Sequence, residues 1–148
     1  MAQLKDLLNY STNALEIERF QDYCPNGLQV EGKTEVKKIV SGVTASQALI
    51  DAAIEEKDDV LLVHHGYFWK GEDARITGLK YKRVRSLIES GINLLAYHLP
   101  LDAHPLFGNN AKLAEILDLD IAGSFPSGSS AVGMYGSLKE PMTAADFS

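Results

Sequence analysis

The feature that most constrains the fold is a short apolar run that ends in two adjacent histidines and a glycine. The run reads VLLVHHG over residues 60–66 and follows two aspartates. An apolar run of this length predicts a strand buried on both faces, as in the parallel sheets of α/β proteins. Neighbouring side chains of a strand point to opposite faces, so we expect the strand to end before His64 and His65. Gly66, which is free to adopt unusual backbone dihedrals, then lets both rings turn into the crevice beyond the carboxyl ends of the strands.

A second apolar run, NLLAY over residues 93–97, leads into His98, Asp102 and His104. Imidazole and carboxylate ligands suit Zn, Fe, Mn or Ni. Any one of these histidines alone is more often a structural residue than a metal ligand. All four histidines of the chain, however, follow these two predicted strands. The pattern therefore favours a metal site where the strands end.

Strand and helix patterns alternate through the middle of the chain. A strand over residues 38–43 precedes a helix, with Thr44 as its N-cap and Gln47 completing a capping box. A second helix over residues 81–88 is closed by Gly91 and precedes the 93–97 strand. Crossovers between such strands are right-handed and leave them parallel. We predict an α/β fold, a three-layer sandwich with a mainly parallel sheet and a metal pocket at the carboxyl ends of the strands.

Other segments give local predictions. An amphipathic helix is expected over residues 2–10, and a turn at Asn26 and Gly27 leads into a half-exposed strand. The aromatic residues 67–69 form either a lid over the sheet edge or a wall of the pocket. Further predicted elements are a helix capped by Asn109 or Asn110 with Leu113, Ile116 and Leu117 on one face, a strand from residue 121, and a loop over 124–130.

Length and composition limit the protein class. The 148 residues suit a single domain, residues 1–148, and 45% of them are hydrophobic. The net charge of −6 argues against a nucleic-acid surface. The basic residues at 80–85 are interpreted as a solvated helix face, with a phosphate-binding role as the alternative. Cys24 is the only cysteine, which excludes a disulfide framework or thiolate cluster. Without a signal-peptide pattern or an apolar run of ~18 residues, we expect a cytoplasmic protein with no membrane contact.

Four motifs together carry a resemblance to a known family. They are PNGLQVEG at 25–32, SGVTAS at 41–46, VHHGYFWKG at 63–71 and HLPLDAHP at 98–105. With these motifs the chain resembles the GTP cyclohydrolase 1 type 2 homologues, the Nif-three-like group, and especially its bacterial YbgI-like members. The resemblance extends to about Leu117 and covers the N-terminal part of the family domain, whose C-terminal part is absent.

The resemblance implies a dinuclear centre with two divalent metal ions, without distinguishing Fe, Mn, Zn and Ni. By motif position His64, His65 and Asp102 correspond to metal ligands, and the Asp102 carboxylate is suited to bridge two ions. His98 corresponds to a catalytic candidate that supports the ligands or transfers a proton. Members of the group supply a further His and Glu beyond the matching region, and their subunits form a ring-shaped hexamer.

Two functions follow from this resemblance. The first is a metal-dependent hydrolase that acts on a nucleotide or related phosphorylated small molecule. The alternative is a non-catalytic metal-binding or scaffold subunit of a ring-shaped homo-oligomer. Nucleic acid and membrane are not expected as partners in either case.

Overall fold

The computed structural model describes residues 1–126 and 131–147. The chain separates into two compact units, Met1–His98 and Leu99–Ser148, and each is described by itself. The assignment of residues 1–148 to one domain stays a prediction. No helix among the described residues is long and apolar enough to cross a membrane.

The first unit contains a four-stranded sheet and three helices. Its helical segments are α1 (Leu4–Ala14), a 3-10 turn (Ile17–Arg19), α2 (Gln47–Glu55) and α3 (Gly78–Ser90). Its strands are β1 (Ala2–Gln3), β2 (Gly27–Val30), β3 (Glu35–Val36), β4 (Ile39–Thr44), β5 (Val60–His65) and β6 (Asn93–Ala96). The predicted N-terminal helix thus begins two residues later and extends to Ala14, because residues 2–3 pair with β3.

The main sheet has the order β2-β6-β5-β4. The three strands predicted from the apolar runs are parallel and adjacent, with Val60 paired to both Ile39 and Asn93. The edge strand β2 instead runs antiparallel to β6, with Gly27 opposite Ala96. A separate antiparallel pair joins β1 and β3. The fold is therefore mixed α/β, and the prediction of a mainly parallel sheet is replaced by a mixed one. Alternating polarity in β2 indicated a half-exposed strand but carried no information on its direction.

Helix ends in the first unit follow local sequence signals. The Ser46 Oγ accepts a hydrogen bond from the Leu49 N–H at 3.2 Å and caps α2. The predicted cap at Thr44 is wrong because Thr44 is still in β4, paired with His65. Helix α3 ends at Gly91 with φ +66°, as predicted, since a left-handed residue at this position suits glycine.

The core lies between the sheet and α2 and α3. On β5, Leu61 and Val63 point into this core, while Val60 on the other face is also fully buried. The prediction of a strand buried on both faces is confirmed at Val60, whereas Leu62 on the same face is half-buried. Burying each such aliphatic side chain contributes about 1.5–3 kcal/mol.

A buried polar network joins the starts of β5 and β6. Asn93 is fully buried; its Oδ1 accepts from the Gly32 N–H at 2.8 Å, and its Nδ2 donates to the Lys33 carbonyl at 2.8 Å. The Asp59 carboxylate accepts from the Lys37 N–H at 2.9 Å. This hydrogen bond is the main reason why the pKa of Asp59 lies below its ordinary value. The network holds the amino ends of the parallel strands in register, opposite the histidines.

The second unit contains an antiparallel strand pair and short helices. Its elements are α4 (Leu99–Ala103), α5 (Asn109–Ile116), β7 (Leu119–Phe125), β8 (Gly133–Leu138) and α6 (Ala144–Phe147). The strand predicted from residue 121 is confirmed as β7. The predicted loop over 124–130 is wrong at residues 124 and 125, which belong to β7, and its residues 127–130 lie outside the described part of the chain.

Helix α5 buries a different face from the predicted one. Its N-cap is Gly108 rather than either asparagine, and Ala111 and Ala114 are its buried residues. Leu113 and Ile116, predicted on the buried face, are 53% and 80% exposed. The small side chains of the two alanines let the helix pack closely within its own unit. This close packing, rather than the burial of the larger apolar residues, determines which face of the helix is buried.

Candidate metal centre

His64 and His65 are the last two residues of β5 and not, as predicted, residues beyond its end. The ladder with β4 continues to His65, which pairs with Thr44. The ladder with β6 stops at Val63, whose carbonyl accepts from the Tyr97 N–H at 3.0 Å. The two histidines are therefore paired along one side only, and their ring centroids lie 4.4 Å apart. Strand alternation does not separate the rings at this open end.

His98 supplies a third imidazole to the same cluster. Its ring centroid lies 5.0 Å from that of His64 and 5.7 Å from that of His65. One ring nitrogen from each of the three histidines lies within 4.8 Å of the others. All three rings are half-buried. Three nitrogen donors at this separation can hold one divalent ion.

Hydrogen bonds at Nδ1 orient the three rings. The His64 Nδ1 lies 3.0 Å from the Tyr97 carbonyl oxygen, which can only accept, so Nδ1 carries the hydrogen and Nε2 the lone pair. The His65 Nδ1 lies 3.3 Å from the Thr44 hydroxyl. The His98 Nδ1 lies 2.7 Å from the Asp22 carboxylate. Histidines that bind metals commonly use the second ring nitrogen in this way.

Asp22 and Asn26 are site residues that the sequence reasoning missed. The Asp22 side chain is 3% exposed, and its Oδ2 accepts from the Asn26 Nδ2 at 2.9 Å. The Asn26 Oδ1 in turn accepts from the His98 N–H at 2.7 Å. The PNG motif was recognised as a turn and as part of a family motif, but its Asn26 was not assigned to the site. No local pattern marks Asp22, which lies 76 residues from its partner along the chain.

Cys24 lies beside this pair, with its sulfur within 4.8 Å of a carboxylate oxygen of Asp22 and a ring nitrogen of His98. Burial is the main cause that raises the pKa of the Cys24 thiol to about 11, with Asp22 adding to it. The thiol is therefore protonated at neutral pH and is a poor ligand until it loses that proton.

Gly66 is required by close packing. A Cβ at this position would lie 2.2 Å from the Gln29 Oε1 and 2.7 Å from the Ala96 Cβ. Its φ is not positive, so the expected use of unusual dihedrals is wrong here. The Gln29 Oε1 accepts from the Tyr67 N–H at 2.7 Å and links β2 to the turn after the histidines.

Of the three consecutive aromatic residues, Tyr67 and Phe68 pack in the core and Trp69 lies at the histidine cluster. The buried Tyr67 donates its hydroxyl hydrogen to the Ala45 carbonyl at 2.6 Å, and Phe68 packs against the core with φ +64°. The Trp69 ring lies edge-to-face with His98, with centroids 4.9 Å apart. Of the two interpretations of this segment, the structure favours a wall beside the histidines for Trp69.

Asp102 and His104 belong to the second unit. Asp102 lies in α4, and its Oδ1 accepts from the Asn109 Nδ2 at 3.1 Å. The buried His104 accepts at Nδ1 from the N–H groups of Leu106 and Phe107, each at 3.1 Å. His104 thus closes a turn and has a structural role. The assignment of Asp102 as a metal ligand stays a prediction.

Comparison with known proteins identifies the family. The model of the Duf34/NIF3 family (NGG1p interacting factor 3) matches residues 2–148. The chain belongs to this family. The resemblance inferred from the four motifs is thereby confirmed.

Named relatives of this chain in the Duf34/NIF3 family are longer than it. Proteins named GTP cyclohydrolase 1 type 2 homolog from Haemophilus influenzae and Pseudomonas aeruginosa are each 54% identical to it. These matches cover 98% and 97% of this chain but 57% and 58% of the relatives. The chain thus spans somewhat more than half the length of these relatives.

Two solved structures share the fold. The solved structure of protein ybgI superposes with a TM-score of 0.92 at 44% identity, and the match covers 99% of this chain and 57% of the other. Reduced HcgD from Methanocaldococcus jannaschii superposes with a TM-score of 0.75 at 27% identity, and the match covers 86% of this chain and 52% of HcgD.

Proposed function

We propose that the chain holds divalent metal ions and forms part of a metal-dependent hydrolase for a nucleotide or related phosphorylated small molecule. The observation that carries this proposal is the cluster of His64, His65 and His98, whose ring nitrogens lie within 4.8 Å of one another. The pocket then lies at the carboxyl ends of β4, β5 and β6, in the three-layer sandwich that the sequence predicts.

The donor set fits Zn, Fe, Mn or Ni. Imidazole is a good ligand for each of these metals, and a carboxylate adds negative charge to the site. The hydrogen bond from the His64 Nδ1 directs its Nε2 lone pair away from the backbone. In this proposal His64, His65 and Asp102 are ligands of two ions, with Asp102 assigned from the sequence motif alone.

A bound divalent ion would supply an activated water with a pKa near ~7 and polarise a substrate oxygen. The protein contributes the remaining chemistry. His98, held by Asp22, is placed to accept or return a proton beside the ligand histidines. Trp69 lies against His98 and excludes water from that side of the ring. The relatives' name, GTP cyclohydrolase 1 type 2 homolog, supports a nucleotide as the substrate class.

The proposal includes a small-molecule substrate, a ring-shaped homohexamer and a cytoplasmic location. The hexamer follows from the family resemblance. A reducing compartment agrees with the single cysteine of the sequence. The net charge of −6 gives no support for a nucleic-acid partner.

Metal binding is tested first, by elemental analysis of the purified protein and by calorimetric titration with Zn²⁺. The variants are His64→Ala and the matched control His104→Asn, which keeps an acceptor for the turn. We expect the wild type and the control to bind zinc and His64→Ala to lose most of the affinity. Equal binding by all three proteins would place the metal elsewhere and refute the proposed centre.

Hydrolysis is tested on metal-loaded protein with GTP and with a generic phosphomonoester, using Mn²⁺, Fe²⁺ and Zn²⁺ in turn. We expect turnover that disappears in His64→Ala and persists in His104→Asn. Metal binding without turnover of either substrate would contradict the hydrolase and support the non-catalytic scaffold.

A further inference from the structure

Asp22, Asn26 and His98 form a closed hydrogen-bond network beside the histidine cluster. The Asp22 Oδ1 accepts from the Tyr23 N–H at 2.6 Å and lies 2.7 Å from the His98 Nδ1. The Asp22 Oδ2 accepts from the Asn26 Nδ2, and the Asn26 Oδ1 accepts from the His98 backbone N–H. Both oxygens of the carboxylate are therefore engaged, and both the backbone and the ring of His98 are held.

The network fixes which ring nitrogen of His98 carries the hydrogen. Both Asp22 oxygens already accept hydrogen bonds from N–H groups, so Asp22 is the acceptor in the short contact as well, and the hydrogen lies on the His98 Nδ1. The Asp22 and His98 side chains are 3% and 16% exposed, and water therefore competes little for this hydrogen bond. The lone pair then resides on Nε2, the remaining ring nitrogen of a ring that lies between His64 and Trp69.

We propose that Asp22 is a positioning residue, which holds His98 in the Nδ1–H tautomer and in the orientation that the histidine cluster needs. Asn26 supports this role by fixing the Asp22 carboxylate. Where it concerns metal affinity, the inference rests on the proposed metal centre. The tautomer itself is a property of the metal-free protein and does not depend on that centre.

A competing interpretation makes Asp22, Cys24 and His98 a metal site of their own, since their ligand atoms also lie within 4.8 Å of one another. Two observations argue against it. Both Asp22 oxygens already accept hydrogen bonds from the protein. Burial also keeps Cys24 as a thiol, with its pKa raised to about 11.

The variant Asp22→Asn tests the positioning role with little change in volume. If the new amide points its oxygen at His98, its NH₂ group faces the Asn26 Nδ2, and two donors meet. If it points its NH₂ group at His98, the ring accepts at Nδ1 and its hydrogen moves to Nε2. Either arrangement leaves a buried mismatch that the wild type does not have. Asp73→Asn is the matched control, because Asp73 is an exposed carboxylate of the same unit that pairs with Arg75.

The first measurement is the tautomer of His98, read from long-range ¹⁵N–¹H correlations in metal-free protein at a pH where the imidazoles are neutral. We expect the Nδ1–H tautomer in the wild type and in Asp73→Asn, and its loss or mixing in Asp22→Asn. An Nε2–H tautomer of His98 in the wild type overturns the proposal without any variant, so a misfolded variant does not prevent the decision.

The second measurement is metal affinity. Asp22→Asn lets the His98 ring turn beside the proposed ligands His64 and His65. We expect this to lower Zn²⁺ affinity by about 10-fold, the lower end of the range for residues that support metal ligands, and we expect Asp73→Asn to leave the affinity unchanged. Unchanged affinity in Asp22→Asn would overturn the positioning role at the metal. If the wild type binds no metal, the proposed function fails while the tautomer still decides the role of Asp22.

Titration with Co²⁺ distinguishes the competing site. We expect no thiolate-to-cobalt charge-transfer band in the wild type and unchanged zinc binding in Cys24→Ser. A sulfur band that disappears in Cys24→Ser would show that Asp22, Cys24 and His98 ligate a metal, and it would overturn the positioning role.

Discussion

Replacing Gly66 by alanine tests how the turn after the histidines is built. The added methyl group would lie 2.2 Å from the Gln29 Oε1 and 2.7 Å from the Ala96 Cβ. The Gln29 amide can rotate away, but the Ala96 Cβ is fixed to β6 within the sheet. Rotation of Gln29 also removes the acceptor of the Tyr67 N–H, now at 2.7 Å.

The cost of Gly66→Ala follows from these two contacts. Overpacking a core position costs about 1–3 kcal/mol, and a buried N–H left without its acceptor costs about 1–3 kcal/mol. We expect Gly66→Ala to lower the free energy of unfolding by about 2–4 kcal/mol, since Gln29 can relax in part. With a urea m value of roughly 2 kcal/mol/M, the unfolding midpoint falls by about 1–2 M.

Urea unfolding followed by the fluorescence of Trp69 measures this change, because Trp69 is the only tryptophan and lies beside the turn. The double variant Gly66→Ala with Gln29→Ala completes a cycle. Since each single variant already disturbs the Gln29 contact, we expect the double variant to lose roughly 1 kcal/mol less unfolding free energy than the sum of the two single losses. A Gly66→Ala midpoint equal to that of the wild type, or strictly additive effects, would refute this account of the turn.

Three further predictions concern single groups of the first unit. The folded-state pKa of Asp59 is lowered, chiefly by the Lys37 N–H, so its contribution to stability is present above the ordinary pKa and lost as the pH falls below about 4. In urea unfolding between neutral and acid pH, the unfolding free energy should therefore fall less steeply with decreasing pH in Asp59→Asn than in the wild type. Identical pH profiles of the two proteins would contradict this. Removing the helix cap with Ser46→Ala should cost about 1 kcal/mol of unfolding free energy, whereas Thr44→Ala should not produce a cap loss; the opposite ranking in urea unfolding would restore the cap inferred from the sequence. Because burial raises the pKa of Cys24 to about 11, its alkylation by iodoacetamide near neutral pH should be slow in the folded protein and fast in urea, and equal rates would show that the thiol is accessible.

The sequence predicted the parallel part of the sheet because the information is local. The runs at 60–63 and 93–97 are apolar over strand length, and the helical crossovers before each of them return the chain to the same end of the sheet, so the strands are parallel. The direction of β2 was not predicted, since its alternation is the same in either direction. Helix α5 was predicted at nearly the right bounds with the wrong buried face. The burial of Ala111 depends on tertiary packing within its unit, which the periodicity of the helix does not reveal.

For the candidate site, the motifs indicated which histidines matter but not how they are held. His64, His65 and His98 do cluster, although His64 and His65 lie inside β5 rather than beyond it. Histidines at a strand end can converge only because β6 stops pairing first, and sequence alone does not define that endpoint. The role of Asp22 depends on a contact across 76 residues, which no spacing rule reveals.

The most direct test of the central claim is anomalous diffraction at the zinc absorption edge from crystals of this chain grown with Zn²⁺. We expect an anomalous peak within about 2.0–2.1 Å of imidazole nitrogens of His64 and His65, with the His98 ring beside it and the His98 Nδ1 still hydrogen-bonded to Asp22. A well-diffracting zinc-loaded crystal with no peak at this cluster, or with peaks only at other side chains, would contradict the assignment of a metal centre to these residues.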